Sequence, residues 1–293
     1  VADAAHGYWQ CPLDEESRDF CVFITPWGRY RFNRAVMGYV NSGDAYNYRN
    51  DHAFEGLENL EKIVDDLMLY DPTWAEHLCH VRKMLDRCRL HGITLNPAKF
   101  QFGKKEVKFA GHLVCRDGIK ADPAKLKAIT NFPTPTNRTE LRSFLGLAQY
   151  LGKFSSEMSG ALVPLRSLTK KDLAWTWDEP HEKAFQTMKE ILTQPLVLAM
   201  FDPTCPTRLE VDAAKTKGIG FELLQQQGED DDWRIITCGS RFWTDLESHY
   251  AVIEMEVLGI LWAIKKCHLY LTGMEFEVHN DHKPLAPLFN DYT

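Results

Sequence analysis

Two adjacent aspartates, Asp65 and Asp66, stand out because apolar residues flank them on both sides, from Ile63 to Leu69. Two ionised carboxylates next to so much apolar sequence are costly unless something compensates their charge. Mg²⁺ is a natural compensation, since it prefers carboxylate oxygens and leaves positions open for phosphate. Two such ions held about 4 Å apart would stabilise the attacking and leaving oxygens of a phosphoryl transfer. Taken alone, however, an Asp-Asp pair more often marks a surface turn.

The elements that must position this pair are two short strands, with the aspartates at the turn between them. A metal site needs a further carboxylate from elsewhere in the chain. Asp3 begins a segment, residues 3–10, with the pattern of a strand end that turns into a loop. We therefore predict that Asp3 lies beside Asp65 and Asp66.

A second set of carboxylates lies in the last third of the chain. Asp212 ends a predicted strand, Glu256 lies on a long predicted helix over residues 250–271, and Asp281 follows a predicted strand over residues 275–280. Glu256 alone is better interpreted as a solvated helix residue, and only the flanking aspartates favour a site. Glu254, two residues earlier, faces another side of the helix and is not expected to be a ligand.

Length and composition indicate a globular protein. Its 293 residues fit about two domains of roughly 150 residues each. No apolar run approaches the roughly 18 residues of a membrane span, and the first residues lack a signal-peptide pattern. The 8 cysteines form no CxxC pair, which fits a reducing compartment. We therefore expect an intracellular protein that is neither secreted nor bound to a membrane.

The net charge of −7 is unevenly distributed. Residues 81–153 carry +10, whereas residues 1–80 and 202–293 each carry −8. A basic block of this kind fits the electrostatic footprint of a polyanion-binding surface, although a solvated helical face explains the charge equally well. A zinc site at His77, Cys79 and His80 with His91 is less favoured, because no second ligand pair stands at zinc-finger spacing.

Periodicity and turn residues give a coarse order of elements. Hairpins are predicted at residues 20–32 and 106–121, the second with Asp117-Gly118 as its tight turn. Helices are predicted at residues 45–60, 74–90 and 180–193. The prolines of residues 195–207 predict a domain boundary, followed by strands at 207–211 and 218–225 and an acidic hairpin loop at 229–232.

A series of short motifs then follows in a fixed order along the chain. The motifs are Asp3-x4-Tyr8, Thr25-Pro26-Trp27-Gly28-Arg29-Tyr30, Gly38, Asn41, Val64-Asp65-Asp66, Gly92-Ile93-x-Leu95-Asn96-x2-Lys99, Phe109-Ala110-Gly111-His112, Gly118-Ile119-x-Ala121-Asp122-Pro123-x-Lys125 and Leu141-Arg142-Ser143-Phe144-Leu145-Gly146-Leu147. Together they resemble the reverse transcriptase of gypsy-type LTR retrotransposons. No single motif is decisive, but the ordered series is specific, and the resemblance covers essentially the whole chain.

The resemblance implies roles for individual residues. Asp3, Asp65 and Asp66 would be the metal ligands of the polymerase palm, with Mg²⁺ as the cofactor and Mn²⁺ as an alternative. Nucleotide contacts would come from Ala4, Tyr8 and Gly38, where the ring of Tyr8 excludes a ribose 2′-OH. Nucleic-acid contacts would come from Lys99, Lys104, Lys105, Lys108, Phe109, Gly111 and His112, the last three in the primer grip.

The second carboxylate set resembles the ribonuclease H module attached to the same reverse transcriptases. In that module the carboxylates corresponding to Asp212, Glu256 and Asp281 bind Mg²⁺ and hydrolyse the RNA strand of an RNA–DNA hybrid. The implied fold class is α+β: a partial right-hand polymerase followed by a ribonuclease H-like α/β domain. Residues 1–119 would form the palm with part of the fingers, residues 120–200 the thumb or connection helices, and residues 201–293 the ribonuclease H-like domain.

The implied partners are an RNA template, a DNA primer, an RNA–DNA hybrid, deoxynucleoside triphosphates and other parts of the Pol polyprotein. The implied location is the cytoplasm or a virus-like particle, with the nucleus as an alternative. The oligomeric state stays open.

Several positions depart from the family pattern. Ile63 replaces an aromatic residue, residues 36–39 replace Pro-Phe-Gly-Leu, residues 41–44 replace Asn-Ala-Pro-Ala, and Asn280 replaces Thr. The sequence also begins at the first catalytic aspartate and ends soon after Asp281. We therefore expect a polyprotein fragment that lacks most of the fingers and a fourth ribonuclease H carboxylate.

The sequence thus predicts an RNA-directed DNA polymerase with ribonuclease H activity, working by two-metal phosphoryl transfer. We expect little polymerase activity from residues 1–293 in isolation. The alternative is an inactive or domesticated relic that acts only as a nucleic-acid-binding scaffold.

Overall fold

The computed structural model describes residues 1–155, 158–169, 174–193, 197–215, 218–228 and 232–289. The chain divides into two compact units, residues 1–111 and residues 112–293. Pro195 and most of the acidic loop predicted at 229–232 lie outside the described residues.

The first unit contains a three-stranded antiparallel sheet, a separate hairpin and two long helices. Its strands are β1 (Ala2–Asp3), β2 (Val22–Thr25), β3 (Gly28–Arg31), β4 (Leu60–Ile63), β5 (Asp66–Leu69) and β6 (Glu106–Phe109). Its helices are α1 (Glu15–Arg18), α2 (Val40–Phe54) and α3 (Trp74–His91). The sheet has the strand order β1-β5-β4, and the β2–β3 pair confirms the hairpin predicted at residues 20–32.

Helix α3 shows how local sequence sets these elements. The Thr73 hydroxyl caps its first turn by accepting from the backbone N–H of Glu76, and Gly92 ends it in the left-handed conformation. Val81, Met84 and Cys88 form its buried stripe. The helix predicted at residues 74–90 is therefore confirmed. The helix predicted at 45–60 is displaced, since α2 begins at Val40 and ends before a turn at Gly56, where φ is +72°.

The core of the first unit lies between the sheet and the two long helices. It consists of Ala2, Ala53, Phe54, Leu67, Met84, Cys88 and Ile93. Because Ala2 and Leu67 belong to the strands that carry Asp3 and Asp66, this core fixes the relative position of those two aspartates.

Asp71 joins the end of β5 to α3 through two histidines. Its carboxylate, which is fully buried, contacts His77 Nδ1 at 2.8 Å and His80 Nδ1 at 2.5 Å, and accepts from Asn59 Nδ2 at 3.2 Å. Burial alone would raise the pKa of Asp71, but the hydrogen bonds from the two histidines and Asn59 outweigh it and lower the pKa. Two of the histidines considered for a zinc site, His77 and His80, therefore contact a carboxylate.

We expect Asp71→Asn to lower the free energy of unfolding at pH 7 by about 1–3 kcal/mol, because buried donors lose an ionised acceptor. A carboxylate with a lowered folded-state pKa stabilises the fold above its unfolded pKa of about 3.9, and loses that effect as pH falls through the lower folded value. The difference between the two proteins should therefore shrink below about pH 4. Urea unfolding followed by circular dichroism at pH 7 and pH 3 measures this. Asp86→Asn, at an exposed site on α3, is the control; equal losses in both variants would contradict the interpretation.

The second unit begins with short strands and a group of helices and continues into a four-stranded sheet. Its strands are β7 (His112–Cys115), β8 (Gly118–Lys120), β9 (Val197–Leu198), β10 (Thr207–Ala214), β11 (Gly218–Gln227), β12 (Asp232–Arg241) and β13 (Glu277–His279). Its helices are α4 (Pro123–Thr130), α5 (Arg138–Leu151), α6 (Met158–Ser167), α7 (Glu179–Thr193), α8 (Val252–Lys266), α9 (His268–Leu271) and α10 (Ala286–Phe289).

The β7–β8 hairpin corrects the predicted turn by one residue. Gly118 pairs with Cys115 as the first residue of β8, so the two-residue turn is Arg116-Asp117. Gly118 has φ +134°, and a Cβ there would lie 2.0 Å from the Leu198 carbonyl oxygen. Position 118 therefore requires glycine, because β9 approaches its backbone closely.

The four-stranded sheet has the order β12-β11-β10-β13. The first three strands are antiparallel, while β13 runs parallel to β10. Helix α8 packs closely on this sheet, because a Cβ at Gly259 would lie 3.4 Å from the side chains of Val211, Ala213 and Ile219. The single helix predicted over residues 250–271 is wrong, since the chain leaves α8 at Cys267 before α9.

Two cores stabilise the second unit, one among the helices and one between the sheet and α8. The first contains Ile129, Leu141, Phe144, Leu151, Leu165, Phe185, Met188 and Leu192, and the second contains Leu209, Val211, Ile219, Leu223, Ala263 and Cys267. All 8 cysteines are free thiols. In the part of the chain that the structure describes, no helix has the length and apolar character needed to cross a membrane.

Candidate active sites

The first carboxylate group assembles around the β4–β5 hairpin. Asp3 on β1 pairs directly with Asp66 on β5, and Asp65 lies in the turn between β4 and β5. The backbone N–H of Ala4 donates to the Asp65 carbonyl oxygen at 2.8 Å. Asp3 therefore lies beside Asp65 and Asp66, as the sequence predicts, whereas their role as metal ligands stays a prediction.

The turn that carries Asp65 has an unusual backbone. Val64 has φ +54°, a left-handed conformation that is strongly disfavoured for a β-branched residue. The Asn50 side chain donates to the Val64 carbonyl oxygen at 3.4 Å, which ties the turn to α2. Strain of this kind persists only where the surroundings determine the conformation, and it is frequent at functional sites.

Like charges dominate this group. The pKa of Asp66 is raised, first by burial and then by the charges of Asp65 and Asp3, while Lys99 opposes the shift. Lys99 Nζ lies 2.7 Å from Asp3 Oδ2, and the hydrogen bond and the charge of Asp3 raise the pKa of Lys99. The sequence predicts Lys99 as a nucleic-acid contact. Its ion pair with Asp3 was not predicted, because 96 residues separate the two in the chain.

Two of the predicted nucleotide contacts lie next to this group. Ala4 is buried directly after Asp3, and the ring of Tyr8 packs edge-on against Tyr46 with centroids 5.6 Å apart. Tyr46 is almost fully buried, and the charge of Asp65 contributes to raising its pKa after burial. Sequence reasoning missed Tyr46, for which no motif gave a signal. Gly38 has φ +90° and lies in open space before α2.

The predicted nucleic-acid contacts at the end of the first unit differ in exposure. Lys104, Lys105 and Lys108 are exposed. Phe109 is buried, so its ring serves packing. Gly111 follows Ala110 in a turn where both residues have positive φ. The nucleic-acid role of these residues stays a prediction.

A cationic cluster surrounds His112 in the second unit. Lys153 Nζ lies 2.8 Å from His112 Nε2, the Tyr150 hydroxyl lies 3.3 Å from His112 Nδ1, and Lys125 Nζ lies 3.1 Å from the centre of the Tyr150 ring. Burial, followed by the charges of Lys153 and Lys125, lowers the pKa of His112. Burial and Lys125 lower the pKa of Lys153. An anion bound here would relieve this repulsion. Sequence reasoning did not single out Lys153, because its relation to His112 depends on how α5 packs.

The second carboxylate group forms where β10, β13 and α8 meet. Glu210 pairs with His279 in the parallel β10–β13 ladder, and Asp212 and Asp281 each follow two residues later. Glu256, on α8, is 4% exposed. Burial raises its pKa most, and the charges of Asp281 and Asp212 raise it further, which places both aspartates within electrostatic range. The Asn280 amide donates to Glu256 Oε2 at 2.9 Å, a contact that the sequence did not predict.

Glu254 differs from Glu256 as expected from their spacing. Its carboxylate accepts from the backbone N–H of Ala251 at 2.9 Å and thereby caps the start of α8. Glu254 therefore has a local structural task.

Both groups have the oxygen ligands that Mg²⁺ prefers. Each brings together carboxylates from neighbouring elements, and their negative charges repel one another unless a cation binds. No three His, Cys, Asp or Glu side chains in the described ranges already stand in a complete metal-holding geometry. The carboxylates fit a divalent cation by type and charge, and their role as metal ligands stays a prediction.

Two family models match the chain. The model described as reverse transcriptase (RNA-dependent DNA polymerase) matches residues 1–114, and the model described as an RNase H-like domain found in reverse transcriptase matches residues 177–278. The first contains Asp3, Asp65 and Asp66, and the second contains Asp212 and Glu256.

Curated relatives match over nearly the whole chain. The retrovirus-related Pol polyprotein from transposon 297 of Drosophila melanogaster is 33% identical over 98% of this chain and 27% of its own length. The corresponding polyprotein from transposon gypsy of the same organism is 31% identical over 97% of this chain and 28% of its own length. The chain thus spans just over a quarter of these relatives.

A solved structure shares the fold. The foamy viral protease-reverse transcriptase in complex with RNA/DNA hybrid superposes with a TM-score of 0.83 at 20% identity, over 94% of this chain and 37% of that chain. This likeness supports a polymerase fold followed by a ribonuclease H-like domain.

Proposed function

Because this chain belongs to the reverse transcriptase and ribonuclease H region of gypsy-type LTR retrotransposon Pol polyproteins, we propose that it carries both phosphoryl-transfer centres of such an enzyme. Asp3, Asp65 and Asp66 serve RNA-directed DNA synthesis. Asp212, Glu256 and Asp281 serve hydrolysis of the RNA strand in an RNA–DNA hybrid. The observation that carries the proposal is the direct pairing of Asp3 with Asp66 beside Asp65.

In the polymerase centre, the three aspartates would hold the metal, with Mg²⁺ as the expected ion and Mn²⁺ as an alternative. Bound divalent ions would neutralise charge on the phosphates and on the attacking and leaving oxygens. Lys99 donates to Asp3 Oδ2 at 2.7 Å and thereby orients this carboxylate. Tyr8, held by Tyr46, presents a flat ring that leaves no space for a ribose 2′-OH, while Ala4 and Gly38 bring backbone close to the incoming deoxynucleoside triphosphate.

In the ribonuclease centre, Asp212 lies within β10, which continues to Ala214 and so does not end at Asp212 as predicted. Asp281 lies two residues after β13, and Glu256 adds a third carboxylate from α8. A buried Glu256 is a strong ligand because its charge is poorly solvated by water. Asp212 and Asp281 are both exposed, so a hybrid strand would meet these two carboxylates first.

The remaining assignments are part of the same proposal. Residues 1–119 act as the palm with part of the fingers, residues 120–200 as the thumb or connection, and residues 201–293 as the ribonuclease H-like domain. The substrates are an RNA template, a DNA primer, deoxynucleoside triphosphates and the resulting hybrid. The protein works with other parts of the Pol polyprotein, in the cytoplasm or a virus-like particle. Nothing in the comparisons supports the alternative of a relic that only binds nucleic acid.

Primer extension on poly(rA)/oligo(dT) and cleavage of a labelled RNA–DNA hybrid test the two activities. Both are measured with the 293-residue chain and with the full reading frame that encodes it. Mg²⁺-dependent extension and cleavage by the full reading frame are expected. Salt-sensitive hybrid binding without either reaction would support the scaffold alternative.

The exposed lysines before β6 give a prediction on affinity. Lys104→Glu combined with Lys105→Glu should weaken hybrid binding. The slope of log K against log salt concentration should become less negative by about 0.9 for each lost phosphate contact. Fluorescence anisotropy of a labelled hybrid at several salt concentrations measures both quantities. Lys265→Glu combined with Lys266→Glu, near the end of α8, makes the same change in net charge and should have a much smaller effect. Equal effects of the two pairs would mean that net charge alone controls binding.

A further inference from the structure

Asn280 lies at the centre of the second carboxylate group, although it is not a carboxylate itself. Its Nδ2 donates to Glu256 Oε2 at 2.9 Å and to the Val211 carbonyl oxygen at 3.0 Å. Its Oδ1 accepts from the backbone N–H of His282 at 2.9 Å. One amide thus uses both donors and an acceptor within a single site.

These three bonds reach each segment that carries a carboxylate. Val211 precedes Asp212 on β10, His282 follows Asp281, and Glu256 belongs to α8. The amide therefore links the strand, the loop and the helix whose relative positions determine the distances among the three acids.

Glu256 needs such a partner. Its side chain is buried beside two other acids, and a buried carboxylate without a hydrogen-bond donor is strongly unfavourable. A bond to an ionised acceptor is stronger and more directional than a neutral one. The Asn280 amide therefore stabilises the carboxylate and fixes its orientation without adding a charge that would compete with a bound cation.

We propose that Asn280 is a positioning residue, whose side-chain amide anchors Glu256 to the backbone of β10 and holds it in place for a divalent cation shared with Asp212 and Asp281. The inference rests on the proposed ribonuclease function. The role requires a side chain with two donors and an acceptor, as the Asn280 amide has. A leucine of similar size offers no donor and no acceptor, and a serine or threonine hydroxyl can accept but has a single donor.

The experiment measures Mn²⁺ binding by isothermal titration calorimetry, independently of turnover. All proteins carry Asp65→Asn and Asp66→Asn, so that the first carboxylate group does not contribute. Asn280→Leu is expected to weaken Mn²⁺ binding by tenfold or more, in line with the usual effect of removing a partner that orients a metal ligand (roughly 10–100-fold). Asn280→Ser, which keeps one donor, should lose less and serves if the leucine variant does not fold.

Gln225→Leu is the matched control. Gln225 is likewise an amide that donates twice, to the Asp202 carbonyl oxygen at 2.7 Å and to Thr207 Oγ1 at 2.8 Å, and it is fully buried. Its replacement should lower the melting temperature but leave Mn²⁺ affinity unchanged. If Gln225→Leu and Asn280→Leu weaken Mn²⁺ binding equally, Asn280 has a merely structural role and the proposal is overturned.

Asp212→Asn separates this inference from the proposed function. If Asp212→Asn weakens Mn²⁺ binding while Asn280→Leu binds like the parent, the positioning role is wrong and the ribonuclease assignment stands. If the parent shows no Mn²⁺ binding that Asp212→Asn removes, the metal site itself is refuted and the role of Asn280 falls with it.

Discussion

Primer extension is expected to fall by roughly 10³-fold or more when Asp65→Asn and Asp66→Asn are combined in the full reading frame. A factor of 10³ corresponds to about 4 kcal/mol of transition-state stabilisation, which is the range expected when carboxylates that hold catalytic metal are lost. Asparagine keeps the shape of aspartate, so the β4–β5 turn is preserved. The rate of dNTP incorporation on poly(rA)/oligo(dT) at saturating Mg²⁺ measures the effect.

The stability of the single variant Asp66→Asn provides an independent check. The pKa of Asp66 is raised, chiefly by burial and by repulsion from Asp65 and Asp3, so its ionised form destabilises the fold at pH above that pKa. Neutralising Asp66 removes this repulsion. Without divalent cation, Asp66→Asn should therefore melt at the same temperature as the parent protein or at a higher one, although its activity is lost.

Asp51→Asn is the control for the polymerase prediction. Asp51 is an exposed aspartate on α2 that pairs with Lys62 of β4, so it contacts the sheet but does not belong to the carboxylate group. Extension should remain close to that of the parent protein. Substantial extension by the Asp65→Asn and Asp66→Asn double variant would refute the assignment of this centre.

The sequence could predict the first centre because most of it is local. Asp65 and Asp66 are adjacent, the apolar residues around them form two short strands, and a tight turn between such strands leaves few positions for their side chains. Asp3 was assigned by the strand-like start of its segment. The partners Lys99 and Tyr46 were beyond prediction, since their contacts depend on packing between segments far apart in the chain.

The second centre, in contrast, depends mostly on contacts between segments that are far apart in the chain. Its acids were identified by their order along the chain, but the parallel pairing of β13 with β10 is a long-range register that no local signal specifies. The burial of Glu256 depends on how α8 packs against the sheet, where Gly259 faces the side chains of Val211, Ala213 and Ile219. The role of Asn280 follows from both features, so it became visible only in the structure. The predicted boundaries at residues 119 and 200 stay predictions.

The two centres follow one physical plan. Each places carboxylates on neighbouring backbone segments, and in each a buried or partly buried acid has its pKa raised by its surroundings. A nearby donor, Lys99 in one and Asn280 in the other, then contacts one carboxylate directly. Repulsion among such carboxylates destabilises the fold, and a cation that binds them removes the repulsion and so stabilises the folded protein.

Helix α8 offers the sharpest test of the ribonuclease centre, because two glutamates stand only two residues apart with different tasks. Glu256→Gln should reduce cleavage of a labelled RNA–DNA hybrid by about 100-fold or more, since it removes a metal-holding charge that solvent cannot replace. Glu254→Gln should leave cleavage nearly unchanged. Glutamine keeps an oxygen that can accept from the Ala251 N–H, so α8 remains capped.

The melting temperature of Glu256→Gln and its primer extension are two further measurements that separate the two centres. Burial raises the pKa of Glu256, so replacing its charge with a neutral amide should not lower the melting temperature in the absence of divalent cation. Primer extension should be retained by Glu256→Gln, because Asp3, Asp65 and Asp66 belong to the other compact unit. Loss of cleavage with extension preserved would assign the two reactions to separate centres. Equal loss of cleavage in both glutamate variants would instead reduce Glu256 to a residue that supports the fold of α8.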